Sequence, residues 1–114
     1  MPFIEIKTSV PLTEEKKIVL KSELGKIITR IPGKTESVLM VGLLGGYDLY
    51  FAGEALDKGA YVEVKMYKGT TTEAKASVNN GICDLLKDTL EIDMENVYIT
   101  FHEQAEWGFK GNLI

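Results

Sequence analysis

The sequence is poor in the residues that carry most catalytic and metal chemistry: it holds one cysteine, one histidine, one tryptophan and three prolines. Cys83 alone rules out an internal disulfide, a CxxC redox pair and cysteine-based zinc spacing. It falls on the apolar side of a helical stretch, where a thiol behaves as a small hydrophobe. His102 has no second histidine or cysteine beside it, so it reads as a hydrogen-bonded histidine at a strand end rather than a metal ligand. Arg30 is the one arginine, and the formal net charge is −4. The chain therefore lacks the basic stripe that nucleic acid or an anionic membrane surface demands. The opening MPFIEIKTSV has no basic stretch followed by an apolar core, and no apolar run approaches the roughly 18 residues of a membrane span. A cytoplasmic protein is the expectation, with export independent of a signal peptide left open.

What is present is enough for one domain: 114 residues, 45% of them apolar. The chain also repeats itself. Phe3-Ile4-Glu5-Ile6-Lys7 is matched type for type by Tyr61-Val62-Glu63-Val64-Lys65, and the stretch from Lys34 to Val41 is echoed by Asp93 to Thr100. Each copy opens with apolar and charged residues in alternation, the mark of a strand with one buried face. A helical pattern follows each strand. The first has Thr13 as N-cap, Glu14 and Glu15 in its first turn, and Leu20, Leu24, Ile27, Ile28 and Ile31 along one stripe. The second has Thr70 and Glu73 at capping-box spacing, then Val78, Ile82, Leu85 and Leu86. Pro32-Gly33 and Ile92-Asp93 end the helices, and β-rich runs follow over Val38 to Leu44 and Val97 to Phe101.

The expected fold is α/β (α+β) over residues 1–114: a tandem β-α-β repeat, about 2–44 and 60–102, in a four-stranded mixed sheet with two helices on one face. A crossover helix makes each strand pair parallel and right-handed. Gly45 to Gly59 forms the link, with a short extra strand over Leu49 to Ala52. The same element order also permits a ferredoxin-like split arrangement.

Two motifs invite a chemical reading. Gly33-Lys34-Thr35 has the ending of a phosphate-binding loop, but Ile28 stands where its first glycine should be, so that reading is rejected. Pro2 is more informative. If Met1 is removed, Pro2 becomes a secondary amine at the start of a strand, and apolar neighbours that desolvate it would lower its pKa toward neutrality. Proline is equally well tolerated at the first residue of a strand for structural reasons alone.

The company Pro2 keeps is distinctive. Pro2 before an apolar strand, Gly33-Lys34 after the first helix, Phe51-Ala52-Gly53 in the link, Val97-Tyr98-Ile99 in the last strand, and Trp107-Gly108-Phe109 with Gly111-Asn112 near the end resemble the macrophage migration inhibitory factor family of the tautomerase superfamily. The resemblance spans essentially the whole chain. It implies a homotrimer with active sites at subunit interfaces, no cofactor, and keto-enol tautomerisation of small aromatic α-keto acids of the phenylpyruvate or dopachrome type. By position Pro2 would shuttle the proton and Lys34 would bind the substrate carboxylate or enolate oxygen. Tyr98 and Phe109 would line an aromatic pocket from the adjacent subunit. Tyr67 stands where that family has a pocket-lining aliphatic, Thr100 replaces an asparagine, and Phe109 replaces a tryptophan. The resemblance also admits a non-enzymatic, cytokine-like binding protein, favoured if Met1 stays and caps Pro2. A third reading, an enzyme of dicarboxylates or halo-acrylates, would be expected to use arginines, and this chain has only Arg30.

Overall fold

The computed structural model describes residues 1–114. Strand β1 (Pro2–Thr8) leads into helix α1 (Glu14–Ile27) and returns as β2 (Met40–Leu44). Two short strands, β3 (Tyr50–Phe51) and β4 (Glu54–Ala55), form a hairpin in the link. The second unit is β5 (Ala60–Tyr67), α2 (Thr72–Leu90) and β6 (Val97–Gln104), followed by a second hairpin, β7 (Gly108–Phe109) with β8 (Asn112–Leu113). The main sheet has the order β2-β1-β5-β6: β1 is parallel to β2, β5 is parallel to β6, and β1 and β5 meet antiparallel at the centre. The sheet is mixed and four-stranded, and the ferredoxin-like alternative is not adopted.

The alternation in β1 and β5 sets the core. Ile4, Ile6, Val62, Val64 and Met66 are fully buried on one sheet face against Leu20, Leu24 and Ile28 of the first unit and Val78, Ile82 and Leu86 of the second. Burial of each such side chain is worth about 1.5–3 kcal/mol, so this one layer carries most of the stabilisation. The opposite face presents Phe3, Glu5 and Lys7 beside Tyr61, Glu63 and Lys65, all partly exposed.

Local details depart from the sequence reading in ways that have clear causes. Helix α2 is capped by Thr71, whose hydroxyl accepts the Ala74 N–H at 3.1 Å, rather than by Thr70. The Thr70 N–H instead donates to the Glu103 carboxylate at 2.8 Å, which commits that residue to β6. Helix α1 stops at Ile27, and Ile28–Arg30 continues as a 3-10 turn; its last side chain, Arg30, donates to the Ser77 carbonyl of α2 at 2.8 Å. That approach is open because Gly81 has no side chain: a Cβ there would stand 2.6 Å from the Arg30 guanidinium. Strand β2 begins at Met40, later than expected, because Glu36–Val38 forms a 3-10 turn. His102 lies within β6 and not at its end; its Nε2 is 2.8 Å from Thr100 Oγ1 and 3.5 Å from Glu63 Oε2. No helix is long and apolar enough to cross a membrane.

Candidate active site

The start of β1 is the most chemically distinctive place in the chain. Pro2 is buried and stands opposite Met66 in the β1–β5 register. One residue further on, the Tyr67 N–H donates to the Met1 carbonyl at 3.2 Å. An N–H and C=O of one strand residue point the same way, and the Tyr67 carbonyl accepts from Lys34 Nζ at 3.2 Å. Three segments distant in sequence thus converge: the N-terminus, the loop after α1, and the end of β5. Gly33, at φ +81°, turns the chain so that Lys34 enters this corner, a backbone conformation that glycine adopts without strain.

The electrostatics follow from the convergence. The terminal amine, here that of Met1, is held below its ordinary value of 8.0, first by partial burial and then by the charge and hydrogen bonding of Lys34. A desolvated amine beside a cation favours its neutral form, the form that accepts a proton. With Met1 in place the Pro2 nitrogen is an amide and has no basicity.

The remaining residues singled out from sequence divide between the two ends of the sheet. Phe109, on the second hairpin, borders a cleft of about 460 Å³ with Ser37, Val38, Leu39, Met40 and Lys110. Met40 is the register partner of Phe3, so within its own chain Phe109 stands at the Pro2 end. Tyr67 is there too, half-buried. Tyr98 is not: it pairs in register with Tyr61 and through it with Lys7, whereas Pro2 is level with Met66 and Glu103. Five residues of strand separate the two levels, roughly 16 Å. Tyr98 is 63% exposed and its ring packs on Phe51 at 5.7 Å between centroids, tilted 60°. Thr100 lies between the two levels, with its hydroxyl held by Tyr61 at 3.0 Å and His102 at 2.8 Å. One chain therefore assembles Pro2, Lys34, Tyr67 and Phe109 at one end and leaves Tyr98 and Thr100 elsewhere.

Sequence reasoning used Phe51 as part of a family motif without giving it a role, and gave none to Lys68. Phe51 falls in the link, where its ring supports Tyr98; Lys68 has no periodicity to mark it. The Ala-Gly sequel of Phe51 forms a two-residue turn with positive φ at Ala52 and Gly53. Cys83 is partly buried, its thiol pushed up by burial and by Asp84, which makes it a poor nucleophile. No group of three or more His, Cys, Asp or Glu side chains is placed to hold a metal ion.

Comparison with known proteins agrees with this architecture. The family model described as macrophage migration inhibitory factor matches residues 1–114. Among solved structures, Leishmania major MIF2 superposes with a TM-score of 0.92 at 23% identity, covering 100% of this chain and 97% of that one. The macrophage migration inhibitory factor-like protein of Entamoeba histolytica gives 0.87 at 24%, covering 99% and 98%. Pt0534, solved after inactivation by 2-oxo-3-pentynoate, gives 0.81 at 22%, covering 96% and 93%. No curated protein sequence matches the chain.

Proposed function

The chain belongs to the macrophage migration inhibitory factor family, and from that premise we propose that it is a keto-enol tautomerase of small aromatic α-keto acids, using Pro2 as its acid-base group once Met1 is removed. The observation that carries this reading is the meeting of the N-terminal segment, Lys34 and the Tyr67 backbone at the start of β1, a corner in which the Met1 amine is held below its ordinary value. With Met1 gone, the secondary amine of Pro2 would occupy the same corner, next to the same burial and the same cation. In the reaction the neutral amine takes the acidic proton from the carbon beside the ketone, and the carbon–carbon double bond forms as the ketone oxygen becomes an enolate. The Lys34 ammonium stabilises that oxygen, and the protonated amine then delivers its proton there. The reverse sequence converts enol to ketone. The inactivation of Pt0534 by a 2-oxo acid supports the choice of 2-oxo acids as the substrate class.

Because Tyr98 stands far from Pro2 in one chain, an aromatic wall including it, with Thr100 beside it on β6, would come from a neighbouring copy. The proposed assembly is a homotrimer with sites at its subunit interfaces. The test is enol-to-ketone conversion of phenylpyruvate by Met1-free protein and its Pro2→Gly variant. A loss of about 10²-fold or more with the oligomer intact is expected; equal rates overturn the proposal.

A second reading rests on Met1. If the native protein keeps it, Pro2 is acylated and the family membership points to a non-enzymatic, protein-binding role. Mass spectrometry of the N-terminus of native protein decides between the two: a free Pro2 favours catalysis, and a retained Met1 favours binding.

A further inference from the structure

Acylation silences the Pro2 nitrogen in the Met1-bearing chain, and it places a different nucleophile at the same corner, the primary amine of Met1. Met1 is half-buried and doubly constrained. Its carbonyl accepts the Tyr67 N–H at 3.2 Å, and the proline that follows restricts it to extended backbone. Lys34 is fixed at both ends: its own N–H donates to the Ile31 carbonyl at 3.1 Å, and its Nζ donates to the Tyr67 carbonyl at 3.2 Å. The terminal residue and the Lys34 ammonium are therefore both tied to Tyr67, at the end of β5.

Neither the terminal amine nor Lys34 pairs with a carboxylate of the chain. The contact with Tyr67 uses one of the three ammonium hydrogens of Lys34, which leaves donors for an incoming carboxylate. Burial and the Lys34 charge hold the terminal amine below its ordinary value of 8.0, so a larger share of it is neutral at neutral pH. An ordinary lysine, with a pKa of about 10.4, is almost wholly charged there. A neutral amine beside a cation is the arrangement that activates amines toward carbonyl carbons. In a 2-oxo acid the carboxylate is bonded to the carbon that an amine attacks, so a cation beside the amine selects this class over neutral ketones.

We propose that the Met1-bearing protein captures 2-oxo acids as a Schiff base on the Met1 amine, with Lys34 holding the acid's carboxylate. The nitrogen lone pair attacks the ketone carbon, and the carbon–oxygen π pair moves onto oxygen. A proton passes from nitrogen to that oxygen, giving a carbinolamine. The hydroxyl takes a second proton and leaves as water while the nitrogen lone pair closes the carbon–nitrogen double bond. The nitrogen then gives up its last hydrogen, so one water is released and no net proton is consumed. No oxidant or reductant is required, and water reverses the capture. The capture is independent of the tautomerase reading, which concerns the chain that has lost Met1.

The test treats Met1-bearing protein with phenylpyruvate and sodium cyanoborohydride, which reduces a Schiff base to a stable secondary amine, and locates the adduct by peptide mass mapping. The adduct is expected on Met1, formed about tenfold faster than on the terminal amine of a free peptide of residues 1–7. Lys34→Met should remove most of that gain, and phenylacetone, which lacks the carboxylate, should gain less from the fold than phenylpyruvate does. Labelling at the peptide's rate, labelling spread over exposed lysines such as Lys21, an undiminished rate in Lys34→Met, or an equal gain for phenylacetone overturns the inference. Turnover of phenylpyruvate by Met1-free protein stands or falls separately from each of these results.

Discussion

Lys34 is tied to Tyr67 through the main chain: its ammonium donates to the Tyr67 carbonyl at 3.2 Å, and the N–H of the same residue donates to the Met1 carbonyl, also at 3.2 Å. The acceptor of the Lys34 side chain and the donor that holds the Met1 peptide thus belong to one backbone residue of β5. This link brings the Lys34 charge to the side of the sheet where the terminal amine stands.

Replacing Lys34 by methionine removes the charge and the hydrogen bond that hold the terminal amine down, so its pKa rises. It should remain under 8.0, because burial is the larger cause and stays in place. The pH dependence of amine labelling reads this directly. An unchanged profile would show that Lys34 does not act on the amine. In Met1-free protein the same substitution should lower kcat/KM for phenylpyruvate by about 10²-fold, the cost of losing one stabiliser of the developing oxyanion.

Tyr98 and Pro2 stand roughly 16 Å apart along the sheet, so a site that uses both is shared between copies. Refolding an inactive Pro2→Gly chain together with an inactive Tyr98→Ala chain should restore activity, since random assortment gives both groups intact at roughly a quarter of the interfaces. Activity that stays at background in the mixture would place Tyr98 outside the site. Phe51→Ala, which removes the ring packed on Tyr98, should weaken the shared site in the same assay.

Glu103 gives the fold an acid-sensitive joint. Its carboxyl is held below its ordinary value of 4.5, first by the Thr70 N–H and then by Lys75. A carboxylate with a depressed folded-state pKa stabilises the protein above the unfolded value, and that contribution disappears as the pH falls from about 4.5 through the lower folded value. Glu103→Gln should consequently show a smaller drop in Tm between pH 6 and pH 3 than the parent chain. Identical drops would mean that the joint contributes nothing to acid stability.

The parts of the fold that were legible in the sequence are those governed by periodicity. Ile4 and Ile6 alternate with Glu5 and Lys7, and a strand with period two has no other way to bury its apolar set. The stripe Val78, Ile82, Leu85 and Leu86 fixes the inner face of α2 in the same way. Capping was less legible, because Thr70 and Thr71 are both competent and the choice fell to Glu103, a residue on β6. Helix α1 buries little beyond Leu20, Leu24, Gly25 and Ile27 and leaves Ile18 and Val19 exposed. Its end was thus set by contact with α2 through Arg30 rather than by its own pattern.

The candidate site divides along the same line. Pro2, Lys34, Tyr98 and Phe109 could be picked out as residues, since each sits in a short local motif. Where each stands could not, because position in space depends on strand register and on which chain end folds over which edge. By itself the sequence determined a duplicated β-α-β unit, through apolar spacing that only one sheet face can satisfy. Only the tertiary structure decided that the terminal amine, Lys34 and the Tyr67 backbone meet at one corner while Tyr98 lies at the other end, because antiparallel pairing of β1 with β5 joins the start of the first repeat's opening strand to the end of the second repeat's opening strand.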